Sequence, residues 1–433
     1  MSKSIVGVAA VRLLGVVTGF LSVVLLARLL GPEQYGIYAF TLATITLLSL
    51  PANTGLCTLL LRTAARQRSS TSVSELRGLW NWTNGTAVAV ATTLGVVAWL
   101  AINRAGITSL SSNLDVLFAS GAALLLLTPL LALRTALLSG LGNVAHGQSL
   151  DNIVKPLVFV LLITGVAASS PQAWSVTATQ AVLAITFSTA IALIVGQHFL
   201  RHSRPRNWRT TVADYIPRQW LRAAWPLTLV GAGHILMRYV DVVMLGFWHS
   251  STEVGIYRAT YQLASLATLP HQVAVLAYAP LFAGHPASHD HAGLQRLATR
   301  CARLASTGST PLLVLLLIAS SPLLTLFFGD PYRAGAPVLV ALCIGQLINV
   351  VAGPVGMLLN MSGHEREAAL GVWLATLVNL ALNALLIPGY GAVGAAVATA
   401  VALVVWNVIL CQRALTLLNI NPTILPIPQY TTR

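Results

Sequence analysis

The densest cluster of polar side chains within the long apolar segments of this sequence lies between residues 234 and 241. His234, Arg238 and Asp241 are spaced i, i+4 and i+7, which places them on one face of a helix. Two kinds of chemistry fit this face. Arg238 and Asp241 can form an ion pair, or Asp241 can bind a cation together with oxygen atoms from other helices.

Asparagine and threonine side chains much later in the chain can complete a cation site around Asp241. Asn379 and Asn383 are spaced i, i+4 in one apolar segment, and Thr399 lies in the next. Oxygen ligands alone, supplied here by three helices, are what a hard cation requires, and Na⁺ is such a cation. Arg238 would repel a cation, so the ion pair and the Na⁺ site are competing predictions.

Several cationic residues lie within or at the ends of apolar segments, where charge is costly. A charge at the centre of a bilayer costs ~2.5–3.5 kcal/mol on insertion scales, so it is retained with a partner or for a function. Arg134, Lys155 and Arg258 are explained most simply as residues at helix ends. The full set is Arg12, Arg28, Arg134, Lys155, Arg238 and Arg258.

The composition identifies the environment in which these residues must be placed. The mean hydropathy is +0.77, and 56% of the 433 residues are hydrophobic whereas 8% are charged. Apolar stretches of about 20 residues, enough to cross a bilayer, recur from end to end. The sequence therefore predicts an all-α polytopic membrane protein whose first apolar stretch is a retained span rather than a cleaved signal.

The formal net charge of +14 is a topology signal and does not indicate nucleic-acid binding. Thirteen of the 25 lysines and arginines lie in three stretches between apolar segments, and such loops stay on the cytoplasmic side. Both termini are then cytoplasmic as well. The three stretches are 62–77, 201–222 and 296–303.

Twelve transmembrane spans follow from the hydropathy pattern. The connections on the extracytoplasmic side are short, and they are 31–35, 103–114, 169–174, 249–251, 329–334 and 389–390. We expect an N-terminal six-helix bundle (1–200), a cytoplasmic linker (201–222), a C-terminal six-helix bundle (223–413) and a cytoplasmic tail (414–433). The predicted spans are 5–30, 36–60, 79–102, 115–138, 153–170, 175–199, 223–248, 252–281, 303–328, 335–360, 368–388 and 391–413.

An internal repeat divides these spans into two halves. Residues 36–51 and 255–270 share seven identities over sixteen positions at a constant offset of 219, including Gly-Ile-Tyr and Leu-Pro. Each half holds six spans, an even number, so both enter the membrane in the same direction and form a parallel repeat. Pro51 and Pro270 should bend spans two and eight at matching depths. Two bundles related in this way are typical of transporters, with a cleft between them.

The segment "LLARLLGPEQYGIYAF" (25–40) resembles the first-loop signature of bacterial oligosaccharide flippases of the Wzx type. These belong to the MATE-like superfamily that also contains multidrug exporters and lipid II flippases. Further similar stretches follow in order along the whole chain. They are "DVVMLGFWHSSTEVGIYRATYQL" (241–263), "LFFGDPYRAGAPVL" (326–339), "LLNMSGHEREAA" (358–369) and "NLALNALLIPGYGAVGAAVAT" (379–399).

The resemblance implies translocation of undecaprenyl-pyrophosphate-linked glycan repeat units from the cytoplasmic to the periplasmic leaflet of the inner membrane, by alternating access. It implies membrane lipid as a partner, together with polymerase and chain-length proteins of a glycan pathway. No cofactor is expected, although Na⁺ or H⁺ is a candidate coupling ion. Lipid II flippases usually carry two more C-terminal spans, which this chain lacks.

A pyrophosphate needs cationic groups in the cleft, and arginine suits it because its charge is permanent and its fork matches phosphate oxygens. Arg28 matches the superfamily arginine associated with the central cavity, and snorkelling of its side chain to the membrane interface is the competing explanation. Gln262 stands where lipid II flippases have a cavity arginine, a departure that weakens phosphate contacts in span eight. The expected cavity set is Arg12, Arg28, Arg134, Arg238, Arg258 and Gln262. The cation set Asp241, Asn379, Asn383 and Thr399 resembles the C-terminal cation site of related flippases.

Other functions remain as alternatives. A cation-coupled multidrug exporter would share the repeat but prefer an acidic, aromatic cavity. A membrane glycan polymerase or ligase would present a large extracytoplasmic loop with catalytic residues, and no such loop is predicted. His285, His289, Asp290 and His291 have irregular spacing for a metal site and are interpreted as a solvated loop. No glycine-rich nucleotide loop is present in the sequence, so ATP hydrolysis is not expected.

Overall fold

The computed structural model describes residues 2–67, 73–104, 112–169, 176–284 and 291–424, and these are helical almost throughout. The helices are α1 (Ser2–Leu48), α2 (Leu50–Gln67), α3 (Val73–Arg104), α4 (Ser112–Gly140), α5 (Val144–Ser149), α6 (Lys155–Ser169), α7 (Ala178–Ser203), α8 (Pro217–Trp248), α9 (Ser251–Leu266), α10 (Leu269–Ala283), α11 (His291–Ile318), α12 (Ser320–Phe328), α13 (Ala336–Ala352), α14 (Val355–Met361) and α15 (Glu365–Leu418). A π-helical turn (Leu150–Val154) and two 3₁₀ segments (Arg206–Arg209 and Asp330–Gly335) connect some of them.

Two of the long helices are broken by a glycine. In α1 the break is at Gly31 (φ 69°, ψ 172°), just before Pro32. In α15 it is at Gly391 (φ 52°, ψ −133°). A positive φ is readily adopted only by glycine, so the short connection predicted at 31–35 begins with a glycine break inside one long helix.

Nine helices among the described residues are long and apolar enough to cross a membrane, or ten if α9 and α10 form one bent span. The broken helices α1 and α15 each cover two of the predicted spans. With those breaks counted, the helices follow the twelve predicted segments in order. The prediction of an all-α polytopic membrane protein is confirmed.

Both halves have a helix break at the position where the repeat predicts a bend. A break at Ser49 separates α1 from α2, and a break at Ala267 and Thr268 separates α9 from α10. Helices α9 and α10 meet at 50°. Ser49 and Thr268 differ by 219 positions, so the two halves break at equivalent places, immediately before the Leu-Pro pair of each repeat.

The chain forms two compact units, Met1–Ile235 and Leu236–Arg433. The division lies within α8, beyond the predicted linker, because the first part of α8 packs on α2. A side chain at Gly55 would lie 2.0 Å from Thr228 Oγ1, and one at Gly231 would lie 2.9 Å from Thr54 Cβ. The predicted linker is also held in unit 1, since Asp214 N donates to Ser74 O at 3.1 Å.

In unit 2, small residues allow α15 to approach its neighbours closely. A side chain at Gly345 of α13 would lie 2.7 Å from Ala400 Cα, and one at Gly371 would lie 2.6 Å from Leu410 Cδ2 within α15. Asn407 Nδ2 donates to Asn349 Oδ1 at 3.0 Å and joins α15 to α13. This packing places polar side chains of both parts of α15 in the interior of unit 2.

We predict that Gly391→Ala destabilises the protein by roughly 1–3 kcal/mol, because a non-glycine residue is strained at positive φ. The added Cβ would also lie 2.3 Å from Glu253 Oε2. Gly389→Ala is the matched control, since nothing lies within 4 Å of a side chain there. Thermal unfolding of the detergent-purified variants measures the difference, and equal melting temperatures would contradict this account of the break.

Candidate functional site

The structure brings the four predicted cation ligands together inside unit 2. The Asp241 and Asn379 side chains are fully buried, as is Asn383, and Thr399 is 4% exposed. Asp241 Oδ1 accepts from the Val242 backbone N at 2.7 Å. Asp241 Oδ2 lies 3.4 Å from Thr399 Oγ1, which donates to it. The carboxylate of α8 therefore meets the second part of α15.

A chain of hydrogen bonds runs through the two asparagines of α15 towards this carboxylate. Asn383 Nδ2 donates to Asn379 Oδ1 at 3.0 Å. Asn379 Nδ2 in turn donates to Thr399 Oγ1 at 3.4 Å. Asn383 Oδ1 is buried without a hydrogen-bond partner. An unpaired buried acceptor is costly, so Asn383 Oδ1 lacks a hydrogen-bond donor or a cation that would satisfy it.

Tyr257 of α9 is a member of this cluster that sequence reasoning missed. It is fully buried, and its hydroxyl donates to Asp241 Oδ2. The same hydroxyl lies 3.4 Å from Thr399 Oγ1. The sequence identifies Tyr257 only as part of the repeated Gly-Ile-Tyr motif. A tyrosine at a fixed position in a repeat is a signal for a shared structural role, but it does not reveal a hydrogen bond to a residue of another helix.

The competing ion pair is not formed. Arg238 is exposed whereas Asp241 is fully buried, and no ion pair joins them in the described part of the chain. Asp241 is instead surrounded by hydroxyl and amide groups. This donor set contains one carboxylate and neutral oxygens from three helices, so it fits a monovalent hard cation better than a metal that needs several acids or histidines.

Arg134 of α4 is packed as a structural residue in unit 1. Its Nη1 donates to Asn84 Oδ1 at 2.6 Å and to Leu130 O at 2.9 Å. Its Cζ lies 5.0 Å from the centre of the Trp80 ring. Arg204, just beyond the end of α7, lies 5.4 Å from the same ring, and burial lowers the pKa of its guanidinium. These contacts account for Arg134 without a substrate.

The remaining cavity candidates are distributed over both units. Arg28 is exposed in α1 shortly before the Gly31 break, and the Arg12 side chain lies outside the described residues. Arg258 stacks on Tyr239, with its Cζ 5.0 Å from the ring centre. Gln262 is half-buried one turn further along α9.

The histidine-rich loop considered for metal binding is only partly described. His285, His289 and Asp290 lie outside the described residues, and His291 begins α11, where its Nδ1 lies 3.1 Å from Leu418 O. Among the described residues no group of three or more histidine, cysteine or acidic residues could hold a metal ion.

A sequence model of one protein family covers most of the chain. The family is described as "Polysaccharide biosynthesis protein", and the match extends over residues 3–284. The chain belongs to the polysaccharide biosynthesis protein family. The resemblance inferred from the motifs is thereby confirmed at the level of the family.

One curated relative of this polysaccharide biosynthesis protein is "Probable flippase AglR" of Haloferax volcanii. It is 28% identical over 199 residues, which are 45% of this chain and 41% of that protein. The chain therefore spans less than half of the length of this relative.

Solved structures extend the comparison of fold over nearly the whole chain. The structure "Lipid II flippase MurJ, inward closed conformation" matches 96% of this chain and 87% of that chain, with a TM-score of 0.72 and 12% identity. The inward-facing structure of a multidrug resistance MATE family transporter of the MOP superfamily matches 96% of this chain and 98% of that chain, with a TM-score of 0.71 and 12% identity. The polysaccharide biosynthesis protein thus has the MATE-like transporter fold that its sequence predicts.

We predict that Arg134→Ala lowers the stability of this family member by roughly 2 kcal/mol or more, because it removes a charged hydrogen bond and a cation–π contact. Arg238→Ala is the matched control, since that side chain is exposed. The melting temperatures of the two variants in detergent test this. If Arg134→Ala and Arg238→Ala have the same melting temperature, the packing role assigned to Arg134 is wrong.

Proposed function

We propose that this polysaccharide biosynthesis protein is a flippase that moves lipid-linked oligosaccharide across the inner membrane. The observation that carries the proposal is the family match over residues 3–284. The similarity of the fold to a lipid II flippase and the similarity of the sequence to a probable flippase support it. The cargo we assign is an undecaprenyl-pyrophosphate-linked repeat unit, carried from the cytoplasmic to the periplasmic leaflet, and both termini are assigned to the cytoplasm.

The charge of such a cargo defines what the protein must supply. A pyrophosphate is strongly anionic, and moving it out of water without cationic partners is prohibitive. Arg12 and Arg28 lie within or at the end of the first apolar segment and carry charges of the right sign. We assign Arg12 and Arg28 to the pyrophosphate, because Arg134 is already engaged by Asn84 and Trp80. Polymerase and chain-length proteins of the same glycan pathway are the proposed partners.

A multidrug exporter is the second candidate, and the shared fold alone does not separate the two. The MATE transporter matches this chain about as well as the lipid II flippase does, with TM-scores of 0.71 and 0.72. The family match favours polysaccharide, since it concerns sequence over most of the chain. An exporter of cationic drugs would also be poorly served by the arginines that we assign to the cavity.

Cation coupling is a further part of the proposal. The Asp241 carboxylate is fully buried, and the charge of a buried carboxylate is costly unless a partner compensates for it. A Na⁺ ion held by Asp241, Thr399, Asn379 and Asn383 would supply the opposite charge, and it would satisfy the unpaired Asn383 Oδ1. Binding of Na⁺ would then link the arrangement of α8, α9 and α15 to an ion gradient.

We predict that Na⁺ raises the melting temperature of the purified protein whereas K⁺ does not. A ligand that binds only the folded state at about a hundred times its Kd contributes roughly 2.7 kcal/mol. Asp241→Asn should abolish the shift, because it removes the charged ligand. Asp330→Asn is the control, since Asp330 is exposed in the same unit and should leave the shift intact. The same Na⁺ response in wild type and in Asp241→Asn would exclude this site.

For the basic residues we predict that Arg28→Ala abolishes most glycan export without reducing membrane insertion, because removal of a charge eases insertion. Arg28→Lys should rescue only part of the activity, since it keeps the charge but loses the bidentate fork. The assay is accumulation of lipid-linked repeat units in the cytoplasmic leaflet at matched protein levels.

The control for Arg28→Ala is Arg333→Ala, which removes an exposed arginine of the 3₁₀ segment Asp330–Gly335. It should leave export unchanged. Normal export by both Arg28→Ala and Arg12→Ala would refute the assignment of the pyrophosphate to these arginines.

A further inference from the structure

Two side chains from the α8–α9 junction contact backbone groups on either side of the break in α15. Glu253 Oε2 accepts from the Ala392 backbone N at 3.2 Å, just after the break. His249 Nε2 lies 2.7 Å from Ile387 O, just before the break. His249 Nδ1 lies 3.3 Å from Glu253 Oε1. We call these four groups, the two side chains and the two backbone groups, the clamp.

The clamp replaces hydrogen bonds that the helix cannot make for itself. Carbonyl groups before a helix break and amide groups after it lose their intrahelical partners. The positive φ of Gly391 produces such a break between Ile387 and Ala392. The side chains of His249 and Glu253 therefore satisfy one orphan group on each side of it.

The geometry of the clamp requires a proton between the two side chains. A carbonyl oxygen can only accept, so His249 Nε2 must donate to Ile387 O. Glu253 already accepts from Ala392 N through Oε2, which favours a carboxylate. If Nδ1 carried no proton, its lone pair would face Oε1 at 3.3 Å, and two acceptors would repel each other. A proton on either atom turns that contact into a charge-assisted or neutral hydrogen bond.

Unit 1 contains the uncharged counterpart of this clamp. Gln34 Oε1 accepts from Ala178 N at 3.0 Å, at the start of α7. The repeat offset of 219 pairs Gln34 with Glu253 and Leu30 with His249. In each unit, therefore, a side chain just before the repeat caps a backbone amide at the start of a late helical stretch, α7 in unit 1 and the second part of α15 in unit 2. The ionisable version occurs in unit 2, and unit 1 has a glutamine and a leucine in its place.

We propose that His249 and Glu253 form a proton-binding site that closes the break in α15. Their side chains are 23% and 40% exposed, so protons reach the pair from solvent. Proton binding completes the clamp and fixes the two parts of α15 against α9. Loss of the proton puts two acceptors face to face and loosens the break. The proposal does not depend on the glycan cargo or on Na⁺ binding, both of which can fail without affecting it.

The clamp lies on the same helices as the buried carboxylate cluster. Glu253 is one turn before Tyr257 in α9, and Ile387 is one turn after Asn383 in α15. A proton taken up at the clamp therefore acts on elements that also hold Asp241. The other ionisable side chains on the last third of α8, on α9, around the break in α15 and on the 3₁₀ segment Asp330–Gly335 are Arg238, Tyr239, Asp241, Tyr257, Arg258, Tyr261, Tyr390, Asp330, Tyr332 and Arg333.

Hydrogen–deuterium exchange at the break tests the proposal. The full-length protein is measured at about pH 5.5 and about pH 7.5, on either side of the range in which histidine titrates. The readout is protection of peptides that contain Ala392, after correction for the intrinsic exchange rate. We expect about two- to fivefold more protection at the lower pH, because one partly exposed ion pair typically changes an opening equilibrium by a factor of this size.

Two variants and one internal control make the result specific. His249→Gln keeps a donor for Ile387 O, and Glu253→Gln copies Gln34 of unit 1, so both should retain the cap while losing the pH dependence. Peptides that contain Ala178 should show no pH dependence in any sample. Equal protection of Ala392 at both pH values in wild type would overturn the proposal. An unchanged pH dependence in both variants, or the same dependence at Ala178, would overturn it as well.

Discussion

The burial of one carboxylate constrains most of unit 2. Asp241 is fully buried, and it belongs to α8, which is long and apolar enough to cross a membrane. Its charge is costly to bury unless hydrogen bonds and an opposite charge compensate for it. Val242 N, the Tyr257 hydroxyl and Thr399 provide the hydrogen bonds. These donors belong to α8, α9 and α15, so the three helices must keep their positions relative to one another for the carboxylate to remain satisfied.

The internal repeat provides equivalent scaffolds with different chemistry. Both units break at the Leu-Pro pair, and both cap the start of a late helix with a side chain at the equivalent position, Gln34 or Glu253. Unit 1 has Ser22 at the position equivalent to Asp241, and its hydroxyl donates to Thr18 O at 2.7 Å. At these equivalent positions the ionisable side chains, Asp241 and Glu253, lie in unit 2, and unit 1 has the neutral Ser22 and Gln34.

Much of the fold and of the cluster around Asp241 is predictable from the sequence, and the contacts that could not be predicted have physical reasons. Hydropathy identifies helices long enough to cross a membrane, because the apolar length is imposed by the bilayer. The sequence predicts the residues around Asp241 because polar side chains in apolar segments are costly and therefore conspicuous. Tyr257 was missed because a tyrosine in such a segment is indistinguishable from an aromatic packing residue. The stacking of Arg134 on Trp80, a residue of another helix, could not be predicted because such a contact leaves no trace in local sequence spacing.

The central claim is that the buried Asp241 carboxylate is compensated by a sodium ion. The most direct measurement is equilibrium binding of radioactive sodium to the purified full-length protein, with Asp241→Asn in parallel. We predict saturable binding of one sodium ion per chain, competed by unlabelled Na⁺ and lost in Asp241→Asn. Absence of saturable binding in wild type, or equal binding by the variant, would contradict the claim.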